Sequence, residues 1–179
     1  MDALTVQLID IGPAGRVRAA RHQAINSLAQ RHGFGSVHWR CPWCGGSDHG
    51  IPSAMDASVS SSSHDGLLVV AFDALKRRLG IDLTAAQAPA EAAGIATALF
   101  SPGERKLATA GGWLHSRAFS RVWAGKEALG KAHGCGLAVD HAGEDGGILD
   151  TVRHKLWLRE WTDLPEGLTT VVALEIATR

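Results

Sequence analysis

The residues best suited to chemistry lie in one predicted helix that ends at Gly134. In it, Trp123, Glu127 and Lys131 recur every four residues, so they lie along one stripe. A carboxylate so placed can hold a metal ion or accept a proton, and a lysine can neutralise a phosphate. An acid one turn before a base is also a common surface ion pair, worth a few tenths of a kcal/mol. Taken alone, the stripe favours that surface interpretation.

Three further motifs precede this helix. They are Ser62–Gly66 (Ser-Ser-His-Asp-Gly), Gly80–Thr84 (Gly-Ile-Asp-Leu-Thr) and Leu99–Glu104 (Leu-Phe-Ser-Pro-Gly-Glu). With the helix sequence Trp-Ala-Gly-Lys-Glu-Ala-Leu-Gly-Lys-Ala-His-Gly, they resemble in order and spacing the motifs of the 4′-phosphopantetheinyl transferase superfamily. The resemblance runs from about Val59 to Leu137, and the helix motif is its most specific part.

The resemblance implies a reaction and a metal site. The phosphopantetheine arm of coenzyme A would pass to a serine of an acyl or peptidyl carrier protein, with release of adenosine 3′,5′-bisphosphate. Asp82 and Glu127 match the two acids that would bind Mg²⁺, which favours one or two carboxylates together with substrate phosphates. Lys131 would neutralise a phosphate, and Lys126 would face the pyrophosphate. Glu127, or a metal-bound water, would take the serine proton.

The coenzyme A side of the site is expected in the first part of the chain. By resemblance, Ser63 and His64 face the phosphates. Arg18 and Arg21 lie on the basic outer face of a predicted helix and could bind the 3′-phosphate, because arginine offers a planar fork of donors. A solvated basic face is the alternative for these two arginines, and a polar loop residue is the alternative for His64.

Two positions depart from the pattern of the resemblance. Ile51 stands where the family commonly has a lysine or arginine that contacts the nucleotide, and Thr84 stands where many members have a third carboxylate. These departures leave open a non-catalytic relative that only binds coenzyme A.

The pair Cys41 and Cys44 has the spacing of a metal or redox site. Zinc needs four ligands, which His49 and Cys135 could complete, but no second Cys-x-x-Cys or His-x-x-x-His occurs. We therefore expect a structural turn rather than a zinc or thiol regulatory module.

Composition narrows the classes of partner. The 179 residues have a formal net charge of zero and an isoelectric point of about 7.1, which indicates neither a nucleic-acid nor a membrane-surface partner. No apolar run has membrane-spanning length and no signal peptide is apparent. With three cysteines, an odd number, and no export signal, we expect free thiols in a reducing cytoplasm. We also expect a monomer.

Hydrophobic patterning predicts the elements that must position these residues. In the first half we expect a helix over Arg16–His32 and a loop over Ser60–Gly66. The strands expected there are Leu4–Ile11, Val37–Arg40, Ala54–Val59 and Leu67–Phe72.

The second half begins with a strand over Ile81–Leu83. We expect a helix from about Ala90, a helix capped by Ser101 and Glu104, and the main helix from about Trp113. The features expected after it are a turn over Gly143–Gly147, strands over Leu149–Leu158 and Thr169–Ile176, and a hairpin-like link through Asp163–Gly167.

The predicted fold class is therefore α+β. We expect a pseudo-dimer of two similar halves, residues 1–79 and 80–179, with the active site in the cleft between them. Because Asp82 lies mid-chain, after a full set of elements, the resemblance favours the tandem form that serves peptide synthetases. We expect the carrier protein to dock on the stretch from Phe100 to Phe119. Its candidate contacts are Arg105, Lys106, Leu107, Trp113, Leu114 and Arg117.

Overall fold

Two antiparallel sheets form the centre of the protein, which we describe from a computed structural model. The structure describes residues 3–13, 18–85, 91–109, 117–134, 156–161 and 164–175. Within these ranges it contains eight strands and four helices, so the predicted α+β class is confirmed. The pseudo-dimer of two similar halves stays a prediction.

The first sheet has the strand order β1-β5-β4-β3-β2. Its strands are β1 (Leu4–Asp10), β2 (His38–Arg40), β3 (Ile51–Ser53), β4 (Ser58–His64) and β5 (Leu67–Asp73). Helix α1 (Arg18–Arg31) lies between β1 and β2 in sequence and buries Ile25 and Leu28 against one face of this sheet. Arg16, the start of the predicted helix, lies outside the described residues.

The serine-rich segment corrects the sequence prediction. We expected a loop over Ser60–Gly66, but β4 continues to His64 and pairs with all of β5. The turn is only Asp65 and Gly66, whose φ angles of 44° and 83° are both positive. Such a two-residue turn matches the twist of a hairpin, so the strand extends through the serines.

The second sheet has the order β6-β8-β7. Its strands are β6 (Leu79–Ala85), β7 (Leu156–Trp161) and β8 (Leu168–Glu175), and the helices of this part are α2 (Ala92–Leu99), α3 (Pro102–Ala108) and α4 (Arg117–His133). The strand expected over Thr169–Ile176 is confirmed as β8. Residues 110–116 and 135–155, which include the predicted turn over Gly143–Gly147, lie outside the described residues.

The sheets pack face to face through one apolar core. Val69 and Ala71 of β5 meet Ile81 of β6 and Val172 of β8 there, while the opposite face of β5 packs on α1. The far side of the second sheet packs on α4 through residues that include Ala128. The order of layers is therefore α1, first sheet, second sheet, α4.

Two predicted helix ends are confirmed. Ser101 and Glu104 form a reciprocal capping box at the start of α3, with Pro102 at the first helical position. Gly134 follows α4 with a φ of 75°, which a residue without Cβ adopts readily.

Strand β6 and helix α4 approach each other closely at Gly80. A Cβ at this position would overlap the carbonyl oxygen of Ala128 and lie 2.7 Å from the amide nitrogen of Ala132. Because alternate residues of a strand share a face, Asp82 lies on the same side of β6 as Gly80, toward α4.

We predict that Gly80→Ala lowers the free energy of unfolding by about 1–3 kcal/mol or more, because backbone atoms of α4 would have to move. Urea denaturation measures this change. Gly94→Ala is the matched control: Gly94 lies in α2, and nothing lies within 4 Å of the position that a methyl carbon would take there. Alanine at that position should be neutral or stabilising by up to ~1 kcal/mol. Equal effects at both glycines would contradict the close approach.

Candidate active site

The centre of the candidate site is an ion pair between β6 and α4. Lys131 Nζ donates to Asp82 Oδ1 at 2.7 Å and to the carbonyl oxygen of Ile81 at 3.1 Å. The Asp82 side chain is 8 % exposed and that of Lys131 is 29 % exposed. A buried carboxylate needs such a partner, since an unpaired one would be strongly disfavoured.

Ser62 ties the first sheet to this centre. Its Oγ donates to Asp82 Oδ1 at 2.8 Å, and the Oγ of Ser60 accepts the backbone N–H of Ile81 at 3.0 Å. Ser60 and Ser62 share one face of β4, so both reach the outer edge of β6. Sequence reasoning missed Ser62 because it placed this segment in a loop, and the run of serines has no polar/apolar alternation that would indicate a strand.

Glu127 lies in α4 one turn before Lys131 and is half-buried. Burial raises the pKa of Glu127 above the ordinary carboxyl value, the negative charge of Asp82 raises it further, and Lys131 lowers it. The two carboxylates are therefore close enough to repel each other. The structure thus places Asp82, Glu127 and Lys131 in one region between β6 and α4, while their roles in catalysis and metal binding stay a prediction.

Lys126 does not join Asp82, Glu127 and Lys131. Its Nζ is buried and donates to both carboxylate oxygens of Glu104, at 3.0 and 3.2 Å. The same Glu104 accepts the backbone N–H of Ser101 at 2.7 Å. Adjacent residues of a helix point in directions about 100° apart, so Lys126 faces α3 while Glu127 faces β6.

Of the residues expected on the coenzyme A side, Arg18, Arg21 and Ser63 lie on the α1 face of the first sheet. Arg21 Nη1 donates to Ser63 Oγ at 3.1 Å, and Arg18 pairs with Asp48 at 3.1 Å. His64 Nε2 lies 3.5 Å from a carboxylate oxygen of its neighbour Asp65. The structure therefore joins Arg21 to Ser63, whereas His64 contacts the turn residue.

Two neighbouring cavities adjoin these residues. The smaller, about 250 Å³, has Arg18, Arg21 and Ser63 in its wall, together with His22 and Trp39, whose rings stack with centroids 3.7 Å apart. Burial, followed by the charges of the two arginines, lowers the pKa of His22. The wall of this cavity therefore combines cationic groups with a flat aromatic surface.

The larger cavity, about 610 Å³, lies between β3, β4 and the end of α4. Lys76, Arg78 and Lys131 line it, and so does Ile51. Trp39, Gly50 and Ser61 line both cavities, which places them side by side. Lys131 thus connects the larger cavity with the carboxylate of Asp82.

The predicted docking stretch is described in part. Leu107 is 44 % exposed, and Lys106 and Arg117 are exposed. Arg105 Nη1 donates to the carbonyl oxygen of Phe100 at 2.7 Å, so one of its hydrogen-bond donors is already occupied within the chain. Trp113 and Leu114 lie outside the described residues.

Comparison with known proteins bears on the same region. Residues 78–160, just under half of the chain, match the family model described as the 4′-phosphopantetheinyl transferase superfamily. No curated protein matches the chain. The matched segment contains Asp82, Glu104, Glu127 and Lys131, and the match supports a phosphopantetheinyl transferase function in general terms.

Among the described residues, no helix is long and apolar enough to cross a membrane.

We predict that Glu127→Gln raises the melting temperature at neutral pH in the presence of a chelator. The raised pKa means that the ionised carboxylate is disfavoured in the folded state, and this penalty appears as pH rises through that pKa. Well below the ordinary carboxyl range the side chain is neutral in both states, so the difference between the variants should shrink. Thermal scans at several pH values measure it. A lower melting temperature for the variant at neutral pH would contradict the repulsion from Asp82.

We predict that Lys126→Met destabilises the protein by roughly 3–5 kcal/mol, because Glu104 would be left with a buried charge. The double variant Lys126→Met/Glu104→Gln should recover much of this loss, since glutamine can still accept the Ser101 N–H. Chemical denaturation of both single variants and the double variant measures the coupling. A Lys126→Met variant of unchanged stability would show that the ion pair does not support the fold.

Proposed function

We propose that this protein transfers the 4′-phosphopantetheine arm of coenzyme A to a serine of an acyl or peptidyl carrier protein. The observation that carries the proposal is the cluster of Asp82, Glu127 and Lys131 within the matched segment, beside two cavities with basic walls. A surface ion pair would not need two facing carboxylates or a half-buried position.

The donor set fits Mg²⁺. Asp82 and Glu127 offer two carboxylates that repel each other, and a divalent cation between such groups relieves that repulsion. When bound there, Mg²⁺ would neutralise negative charge on the pyrophosphate of coenzyme A. Thr84, at the end of β6, contributes no charge to this set.

In the proposed reaction, the hydroxyl oxygen of the carrier serine attacks the β-phosphorus of coenzyme A. A phosphorus–oxygen bond forms to the serine, the bridging bond of the pyrophosphate breaks, and adenosine 3′,5′-bisphosphate leaves. Glu127 accepts the serine proton. Lys131, which lines the larger cavity, holds a pyrophosphate oxygen.

The nucleotide occupies the smaller cavity in this proposal. Arg18 and Arg21 bind the 3′-phosphate, Ser63 donates to a phosphate oxygen, and the ring of Trp39 offers a stacking surface. His64, at the end of the same strand, lies next to Ser63. Lys126 has no role at the phosphates here; its pairing with Glu104 supports instead a role in orienting α4.

We further propose the tandem arrangement, with halves at residues 1–79 and 80–179. All strands of the first sheet precede residue 74, and all described strands of the second follow residue 78. Each sheet carries a helix on its outer face. The carrier protein would approach over α3, where Lys106 and Leu107 are exposed.

The test is the mass of an apo carrier domain after incubation with coenzyme A and Mg²⁺, over a panel of acyl and peptidyl carriers. We expect a phosphopantetheine mass gain on at least one carrier. Asp82→Asn and Glu127→Gln should lower the rate by roughly 10²–10⁴-fold, since each removes a charge at the reacting centre. Glu91→Gln, at an exposed carboxylate before α2, is the matched control and should retain activity.

A second candidate follows from Ile51, which lines the larger cavity next to the proposed nucleotide site and brings no positive charge to it. It is coenzyme A binding without transfer. Calorimetry with coenzyme A separates the two: tight binding with no mass gain on any carrier supports the second candidate. No binding and no transfer would overturn both.

A further inference from the structure

The loop between β2 and β3 contains a cluster that the transfer reaction does not use. Each of Cys41, Cys44 and His49 offers one ligand atom, and these three atoms lie within 4.8 Å of one another. The expected turn at these cysteines is present, but the sequence could not show that His49 returns to them. We propose that this cluster binds one zinc ion.

The distances suit a tetrahedral ion. With Zn–S bonds near 2.3 Å and Zn–N bonds near 2.0 Å, two bound sulfurs lie roughly 3.8 Å apart, and a sulfur and a nitrogen roughly 3.6 Å. Cys44 Sγ and His49 Nε2 are already 3.2 Å apart. Adjustments of side-chain torsions are therefore enough to close the set around an ion.

The backbone of the loop is shaped around the sulfur atoms. Cys41 N–H donates to the carbonyl oxygen of Gly46, and Gly45 N–H donates back to that of Cys41, both at 2.9 Å. Gly46 N–H points to Cys44 Sγ at 3.4 Å.

Gly46 lies at the centre of this arrangement. A Cβ there would come within 3.1–3.3 Å of His49 Cε1, Asp48 Oδ1 and Cys44 Sγ. A larger residue would push these groups apart. The lack of a side chain at this position therefore lets the imidazole and the thiol converge.

His49 is oriented as metal-binding histidines are. Its Nδ1 lies 2.6 Å from Asp48 Oδ1, and a hydrogen bond to that carboxylate leaves the lone pair of Nε2 directed at Cys44 Sγ. Such carboxylate–histidine pairs fix the tautomer and raise the basicity of a ligand.

Two thiolates and one imidazole select zinc over Mg²⁺ or Ca²⁺, which prefer oxygen ligands. The two negative sulfurs balance the charge of the ion. Cys44 is exposed and His49 partly so, which allows a water molecule to complete the tetrahedron.

The site has a consequence that rests on the proposed function. Asp48 contacts both His49 and Arg18, and Arg18, His49 and Gly50 line the smaller cavity. A zinc ion would therefore hold the loop that forms one wall of the proposed nucleotide site. Its removal should raise the KM for coenzyme A several-fold and leave kcat nearly unchanged.

The test measures metal content independently of transfer. Protein purified without chelator should contain about one zinc per chain by elemental analysis. Cys41→Ser, Cys44→Ser and His49→Asn should each lose it. Two matched controls should retain it: His38→Asn, at an exposed histidine on β2, and Cys135→Ser, at the third cysteine. Asp48→Asn, at a positioning residue, should weaken zinc affinity roughly 10–100-fold against a chromogenic chelator.

Cobalt substitution of the unmutated protein gives a readout that does not depend on how the variants fold. Thiolate-to-cobalt charge transfer together with the d–d bands of a tetrahedral ion is expected. Absence of zinc and of these bands, or a Cys41–Cys44 disulfide in protein purified without reductant, would overturn the proposal. Loss of zinc in Cys135→Ser, or its retention in His49→Asn, would show that the ligand set is wrong. Failure of the carrier assay with zinc bound would reject the transferase alone.

Discussion

The close contact of β6 with α4 is the constraint on which the candidate site depends. Because Gly80 has no side chain, the backbone of α4 lies directly against the strand, and Asp82 reaches the helix two residues later. At this separation Lys131 contacts both Asp82 and a backbone carbonyl of the strand. A wider spacing would turn a buried group of charges into a solvated surface pair.

A second interaction sets the rotation of α4 about its axis. Lys126 is held by Glu104, and Glu104 is itself part of the cap of α3. A buried ion pair contributes little net stability but penalises arrangements that would break it. With Lys126 directed at α3, the adjacent Glu127 must face β6. The repulsion between Glu127 and Asp82 is then a local cost, offset by apolar packing of α4 on β8.

Local rules explain which features could be predicted from the sequence. The cap at Ser101, the stop at Gly134 and the stripe through Glu127 and Lys131 depend on spacings within one helix, and the structure contains all three. The extent of β4 could not be predicted that way, because serines are weak strand formers and the segment ends in turn residues. Its pairing with β5 and its contacts with β6 are tertiary. The ion pair of Lys126 with Glu104 could not be predicted either, because it is a tertiary contact between α4 and α3.

Net charge is a poor guide to the electrostatics of this chain. The formal charge is zero, yet Arg18 and Arg21 line one cavity, and Lys76 and Lys131 line the next. A neutral total excludes only long-range attraction to large polyanions, which depends on summed charge. Binding a small anion depends on a few cations within a Debye length, about 10 Å at moderate salt. Folding concentrates those cations on one side of the first sheet and at the end of α4, so the clustering of positive charge arises from topology rather than from composition.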